Sequence, residues 1–268
     1  MTVTHPARIG LRVIALGYLS LLLVLPVGLV FEKTFAQGLS AVWASLTTPA
    51  AISAFWLTVE IAAIAVVANT VFGVVCALAL VRGRARGRWL LDVLIEVPFV
   101  ISPVIVGLSL ILVYGTTGWF GKWLIGHGIT VIFSPPGMIL ATVFVSLPFV
   151  VREVAPVLRE IGTEQEQAAA TLGASRLQTF ARVTLPSIRW GLAYGVVLTT
   201  ARALGEFGAV LIVSGNISGK TQTLPLLVET RFYNFDNAGA YTAGALLAAI
   251  SICVLLVMTA TAPDKRRL

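Results

Sequence analysis

Six long apolar stretches, near residues 13–31, 55–81, 91–114, 136–158, 190–213 and 240–262, dominate this chain. A helix crossing the ~30 Å hydrocarbon core of a bilayer needs about 20 such residues, and each stretch supplies close to that or more. Lipid offers no water to an open backbone N–H or C=O, so a lone apolar segment must close its hydrogen bonds within itself as an α-helix. The expected fold is therefore all-α, a polytopic membrane helix bundle of about six transmembrane helices. Composition agrees, because 57% hydrophobic and 12% charged residues are a balance that no water-soluble domain of 268 residues keeps in solution. A single membrane domain, 1–268, accounts for the chain and leaves no room for a large soluble catalytic domain. The energy for any transport must then come from an ion gradient or a partner.

Basic residues orient the bundle. With the N-terminus inside, the inner segments carry Arg8, Arg12, Arg82, Arg84, Arg86, Arg88, Arg152, Arg159, Arg176, Arg182, Arg189, Lys265, Arg266 and Arg267, and the outer ones only Lys33, Lys122, Lys220 and Arg231. That is 14 against 4, so both termini are expected in the cytoplasm. The same topology explains the net charge of +7 without a nucleic-acid partner. Arg82–Arg88 reads as a short inner loop held by anionic membrane lipid. Arg8 and Arg12 before an apolar run resemble a secretion signal, but the run is long, contains Pro26 and lacks a small-residue cleavage site after it, so a retained first helix is expected. Trp43, Trp119, Trp123, Phe133 and Tyr233 in the outer loops fit an interfacial belt. Cys76 and Cys253 lack metal or redox spacing, and neither His5 nor His127 has a convergent nucleophile or metal set, which argues against an enzyme.

The one sizeable inner loop, about 159–189, has strong helix signals. Thr163-Glu164-Gln165-Glu166 reads as a capping box, and Gln167–Leu172 continues as a helix former. Gly173 supplies the permissive backbone of a helix end, Ser175–Gln178 is a second cap, and Leu185-Pro186 is expected to end the unit. Ala168–Ala170 form a flat side, with Leu172, Leu177 and Phe180 as apolar knobs. A helix, glycine turn and helix of this kind suits a groove on another protein, or lies on the membrane or its own bundle.

Gln167-Ala168-Ala169, then Gly173, then Val183-Thr184-Leu185-Pro186 resemble, in type and spacing, the E-A-A, x3, G, x9, I-x-L-P signature of bacterial ABC importer permeases. Gln167 and Val183 depart from it, at the glutamate and isoleucine positions. Segments 96–103, 148–153, 189–199 and 201–210 are similar to sulfate/thiosulfate permeases, most of all to the W-type subunit. The Gly-Glu-Phe-Gly element at 205–208 also occurs in molybdate permeases. The resemblance implies a type I ABC importer permease fold in the bacterial inner membrane. It further implies a T-type partner permease, two copies of a cytoplasmic ATPase, an external sulfate-binding protein and no cofactor on this chain, ATP being used by the partner subunits. The ATPase-coupling residues it implies are Gln167, Ala168, Ala169, Gly173, Val183, Leu185 and Pro186.

Charges and prolines inside the spans mark a second candidate region. Glu60, Asp92, Glu96, Arg202 and Glu206 each cost about 2.5–3.5 kcal/mol in lipid, so each should face protein or water. Arg202 and Glu206, four residues apart, can neutralise one another as a structural bridge or as part of an anion path or gate. Glu60 and Glu96 are candidate packing or gating groups, and in a proton-coupled symporter Glu60, Glu96 or Glu206 would be the proton site. Pro98 and Pro103 in the third stretch and Pro148 in the fourth permit kinks that either line a pathway or gate or serve static packing. Gly191 and Gly195 allow close helix approach, within the bundle or to a partner. Ser214–Thr221 looks like a phosphate loop, but Ser214 stands where the first glycine is required and no strand precedes it.

Overall fold

A computed structural model describes residues 5–83 and 87–261. Arg84, Arg86, Lys265, Arg266 and Arg267 lie outside the described residues, as do the side chains of His5 and Arg8. The elements in order are α1 (His5–Leu19), a π turn (Ser20–Val24), α2 (Leu25–Phe35), α3 (Leu39–Leu46), α4 (Pro49–Arg82), α5 (Arg88–Val100), α6 (Pro103–Tyr114), α7 (Gly121–Gly126) and α8 (Pro135–Glu160). They continue with α9 (Glu164–Thr171), α10 (Arg176–Thr179), a second π turn (Phe180–Thr184), α11 (Leu185–Leu204), α12 (Gly208–Ser214), α13 (Leu224–Tyr233) and α14 (Asn237–Thr261). Among the described residues there is no strand.

Four helical runs are long and apolar enough to span a bilayer singly, and the number becomes six when each of two bent pairs counts as one span. The third stretch, read as one span over 91–114, is α5 and α6 meeting at 111°. Ile101 and Ser102 at the corner are extended, with ψ of 133° and 135°, because the ring of Pro103 crowds a preceding helical residue. The fifth, 190–213, bends by 53° between α11 and α12, so Glu206 sits in a break and not on a continuous helix.

Elsewhere proline is absorbed. Leu185-Pro186 does not end the inner unit as its sequence suggests, since the helix runs on from Arg176 to Leu204. The π turn before it lets the Leu185 N–H reach back to the Phe180 carbonyl, widening the wall where the proline ring would collide. The same device precedes Leu25-Pro26, where the Leu25 N–H reaches the Ser20 carbonyl.

The centre of the bundle is α8, which packs on α4 and α11. Its 18-residue apolar window is 56% buried, against 0% for the N-terminal helical run Gly10–Phe35. Val150 is fully buried between two glycines. A Cβ on Gly73 of α4 would stand 2.6 Å from the Val150 Cβ, and one on Gly195 of α11 2.9 Å from its Cα. Gly191 meets the Glu153 backbone in the same way, so the small-residue step serves this chain's own bundle. Asn69, also fully buried, donates to the Val143 carbonyl at 3.0 Å and to the Ser146 hydroxyl at 2.9 Å, adding polar glue between α4 and α8.

Overpacking at this crossing should cost about 1–3 kcal/mol. Gly195→Val is therefore expected to lower the thermal midpoint of the detergent-solubilised protein by about 3–10 °C. Gly244→Val, where nothing lies within 4 Å of the added Cβ, should leave it nearly unchanged. Equal shifts would rule out the crossing as a packing node.

Candidate functional site

The inner unit is built around two glycines in the left-handed region, Gly162 at φ +63° and Gly173 at φ +86°, on either side of α9. Gly173 closes a Schellman motif, with the Gly173 N–H on the Ala170 carbonyl and the Ala174 N–H on the Ala169 carbonyl, both at 3.0 Å. Ser175 and Gln178 then form the expected capping box, Ser175 Oγ accepting from the Gln178 N–H and Gln178 Oε1 from the Ser175 N–H.

The box at Thr163 does not form. Thr163 Oγ1 instead accepts from Gln167 Nε2 at 3.0 Å, and Glu166 turns away from the helix start. Its carboxylate accepts from Arg82 Nε at 3.1 Å and from the Thr184 hydroxyl at 2.9 Å, while Arg82 Nη2 donates to the Gly162 carbonyl. A charge-assisted pair between side chains only 19% and 22% exposed outweighs a neutral cap. Glu166 thus clamps α9 to the Arg82 end of α4 and to the π turn that leads into α11.

Of the predicted coupling residues, Ala168, Ala169, Val183 and Pro186 come together on a groove of about 630 Å³ that Arg182 and Arg189 also border. Leu172 and Leu177 stand 89% and 75% exposed, whereas Phe180 and Leu185 fold into the apolar core beneath, so Phe180 is not a surface knob. Gln167 is exposed and Gly173 makes the corner. No local spacing links Arg82, Glu166 and Thr184, since by sequence Arg82 reads as topology, Glu166 as a cap and Thr184 as a spacer in the motif.

Within the membrane region the two helix breaks pack on each other. A Cβ on Gly208, where α12 begins, would lie 3.1 Å from Pro103, the first residue of α6, and one on Gly107 would press on Ile212 and the Ala209 carbonyl. At this junction Arg202 Nη1 lies 2.6 Å from Glu206 Oε2, and Glu206 Oε1 accepts the Ala209 N–H at 3.0 Å. Glu206 is thereby both counter-ion and cap, and a carboxylate at a helix start also meets the positive end of its dipole. The Arg202 side chain keeps 31% exposure and that of Glu206 only 3%. Glu96 pairs with Arg152 of α8, and Glu60 is exposed on α4. Pro98 is buried inside α5.

Arg231 on α13 reads as an outer cation but works as a staple, donating to Ser45, Thr48 and the Gly239 carbonyl at 2.8–3.1 Å. Burial lowers its pKa, and nearby Asp236 acts in the opposite sense.

The profile of the family described as binding-protein-dependent transport system inner membrane component matches residues 69–267. The chain is 50% identical over 254 residues to a sulfate transport system permease protein CysW of Synechocystis, covering 95% of this chain and 92% of that protein. It is 38% identical over 246 residues to a sulfate transport system permease protein CysT of the same organism, covering 92% and 86%. Its fold is like that of a bacterial ABC transporter involved in alginate import, with a TM-score of 0.78 at 18% identity over 97% of this chain and 94% of that one.

The clamp at Glu166 can be tested apart from those likenesses. After discounting for partial exposure, its charged hydrogen bonds are worth about 1–1.5 kcal/mol. Arg82→Ala should accelerate amide hydrogen exchange across 163–172 about tenfold while leaving α8 protected. Unchanged exchange in α9 would show that the clamp does not hold it.

Proposed function

The chain belongs to the family of binding-protein-dependent transport system inner membrane components, and we propose that it is one of two permease subunits of an ATP-driven sulfate or thiosulfate importer. The observation carrying this reading is its likeness, over nearly the whole of both chains, to proteins named as sulfate permeases. The partners are a T-type permease, two copies of a cytoplasmic ATPase and an external sulfate-binding protein. This chain hydrolyses nothing and binds no cofactor, and both its termini lie in the cytoplasm.

The ATPase engages the exposed Leu172 and Leu177 and the groove of Ala168, Ala169, Val183 and Pro186. Gly173 sets the angle between α9 and α10. Motion of α9 passes through Glu166 to Arg82 on α4 and to Thr184 under α11. Both helices hold α8 through the close contacts at Val150, so the push rocks a packed unit between inward- and outward-facing states. Arg202, at the broken end of α11, lines the anion path, with Glu206 tempering its charge and Pro103 bracing the break. Glu60 and Pro98 belong to the same path or gate. Of the three carboxylates that a proton-coupled symporter could use, Glu96 and Glu206 are each engaged by an arginine whereas Glu60 is exposed on α4, so the uptake measurement decides between the two readings.

In proteoliposomes holding this chain, the partner permease and the ATPase, with binding protein outside, sulfate uptake should require ATP. The chain alone should accumulate none, and uptake by the chain alone that an uncoupler abolishes would overturn the reading. Gly173→Val forces a β-branched residue into a left-handed position at a cost of about 1–2 kcal/mol. It is expected to leave insertion intact and to cut ATP-driven uptake about tenfold, and full uptake by this variant would remove the corner from the coupling mechanism.

A further inference from the structure

Arg152 counts among the inner cations by sequence, but it stands inside α8, about 12 Å from the Glu160 end at 1.5 Å per residue. Glu96 lies about 12 Å from the Arg88 end of α5. Their side chains are 52% and 40% exposed. An open charge at hydrocarbon depth costs about 2.5–3.5 kcal/mol against lipid, so the side on which both are open faces water or protein.

The geometry at Arg152 is incomplete in a particular way. Nε donates to Glu96 Oε1 at 3.1 Å and Nη2 to Oε2, so one edge of the guanidinium is spent on the carboxylate. The ring of Phe99 covers a face at 4.3 Å and is itself held by Phe149, edge to face at 5.3 Å. Nη1 donates to no acceptor among the described residues. A planar guanidinium fixed in this manner presents N–H groups suited to oxyanion oxygens.

We propose that Arg152 is an anion-binding station of the pathway, taking a tetrahedral divalent oxyanion on its free Nη1 edge while Glu96 stays bound to the other. This rests on the importer reading above. The attached carboxylate is what makes the site one of passage, because a bare cation in a dry channel would hold a divalent anion too long to release it. Arg202 with Glu206 repeats the arrangement near the far end of α11, a half-open arginine carrying its own carboxylate. The two pairs give the anion successive weak footholds, one toward each end of the bundle.

The assembled complex, with binding protein and ATP, is to be compared with a Glu96→Gln, Arg152→Gln double variant for uptake of radiolabelled sulfate. The double change removes both charges without stranding either, so a pair that only packs helices should tolerate it. A station predicts that uptake falls at least about tenfold while the permeases and ATPase still co-purify. Glu96→Gln alone, leaving the cation bare, should lower both the maximal rate and the half-saturating sulfate concentration. Wild-type uptake in the double variant overturns the station and leaves the importer reading intact. Failure of the double variant to co-purify with the second permease also overturns it, identifying the pair as a subunit contact. Absence of ATP-driven sulfate uptake by the wild-type complex overturns the importer reading itself.

Discussion

A peptide group in hydrocarbon has no water to turn to, and this decides where the chain is allowed to be irregular. Two of its spans are broken, yet neither break lies against lipid alone. The corner before Pro103 and the gap before Gly208 close on each other, with contacts too tight to admit a Cβ at Gly107 without displacement. The Glu206 carboxylate takes over part of what water would do, accepting an N–H at the start of α12. Where no such burial is arranged the helices stay intact, and the two leucine-proline steps in α2 and α11 are carried by π turns.

Regularity elsewhere makes the bundle stiff. α4, α8 and α11 approach so closely at Val150 that a displacement of one is felt by the others, since a packed interior deforms little before it yields. Within the inner unit α9 is fastened by one carboxylate, Glu166, whereas Phe180 and Leu185 beyond it pack into the apolar core. Leu172 and Leu177 are left outside. A lever with a narrow, polar root and an apolar tip can turn on its root, and left-handed glycines on both sides of α9 supply the corners for it.

The apolar stretches and the Gly173 turn were legible because they depend on local rules: span length, and the conformation that only glycine adopts at low cost. The second capping box was legible for the same reason, its partners lying three residues apart. The box at Thr163 obeyed the same local rule and lost to Arg82, a residue 84 positions away from Glu166. Competition at that range is invisible to spacing. The third stretch looked continuous because hydropathy does not register a corner, although Pro103 after Ser102 carried the signal in its effect on the preceding residue. Asn69 could have been noticed as the one side-chain amide in α4, but its acceptor on α8 could not.

The intramembrane charges follow from the same constraint as the breaks. Arginine cannot discard its proton to enter lipid, so any arginine at that depth must bring its own counter-charge or find one. Here Arg152 and Arg202 each bring a glutamate, one from a neighbouring helix and one from the next turn of chain. Pairing lowers the insertion cost, and because neither guanidinium is wholly enclosed it also leaves a directed but weakened positive edge. A divalent anion crossing a low-dielectric bundle needs favourable contacts that remain shallow. The feature that lets the cations be tolerated in the membrane is thus the one that makes them usable for transport.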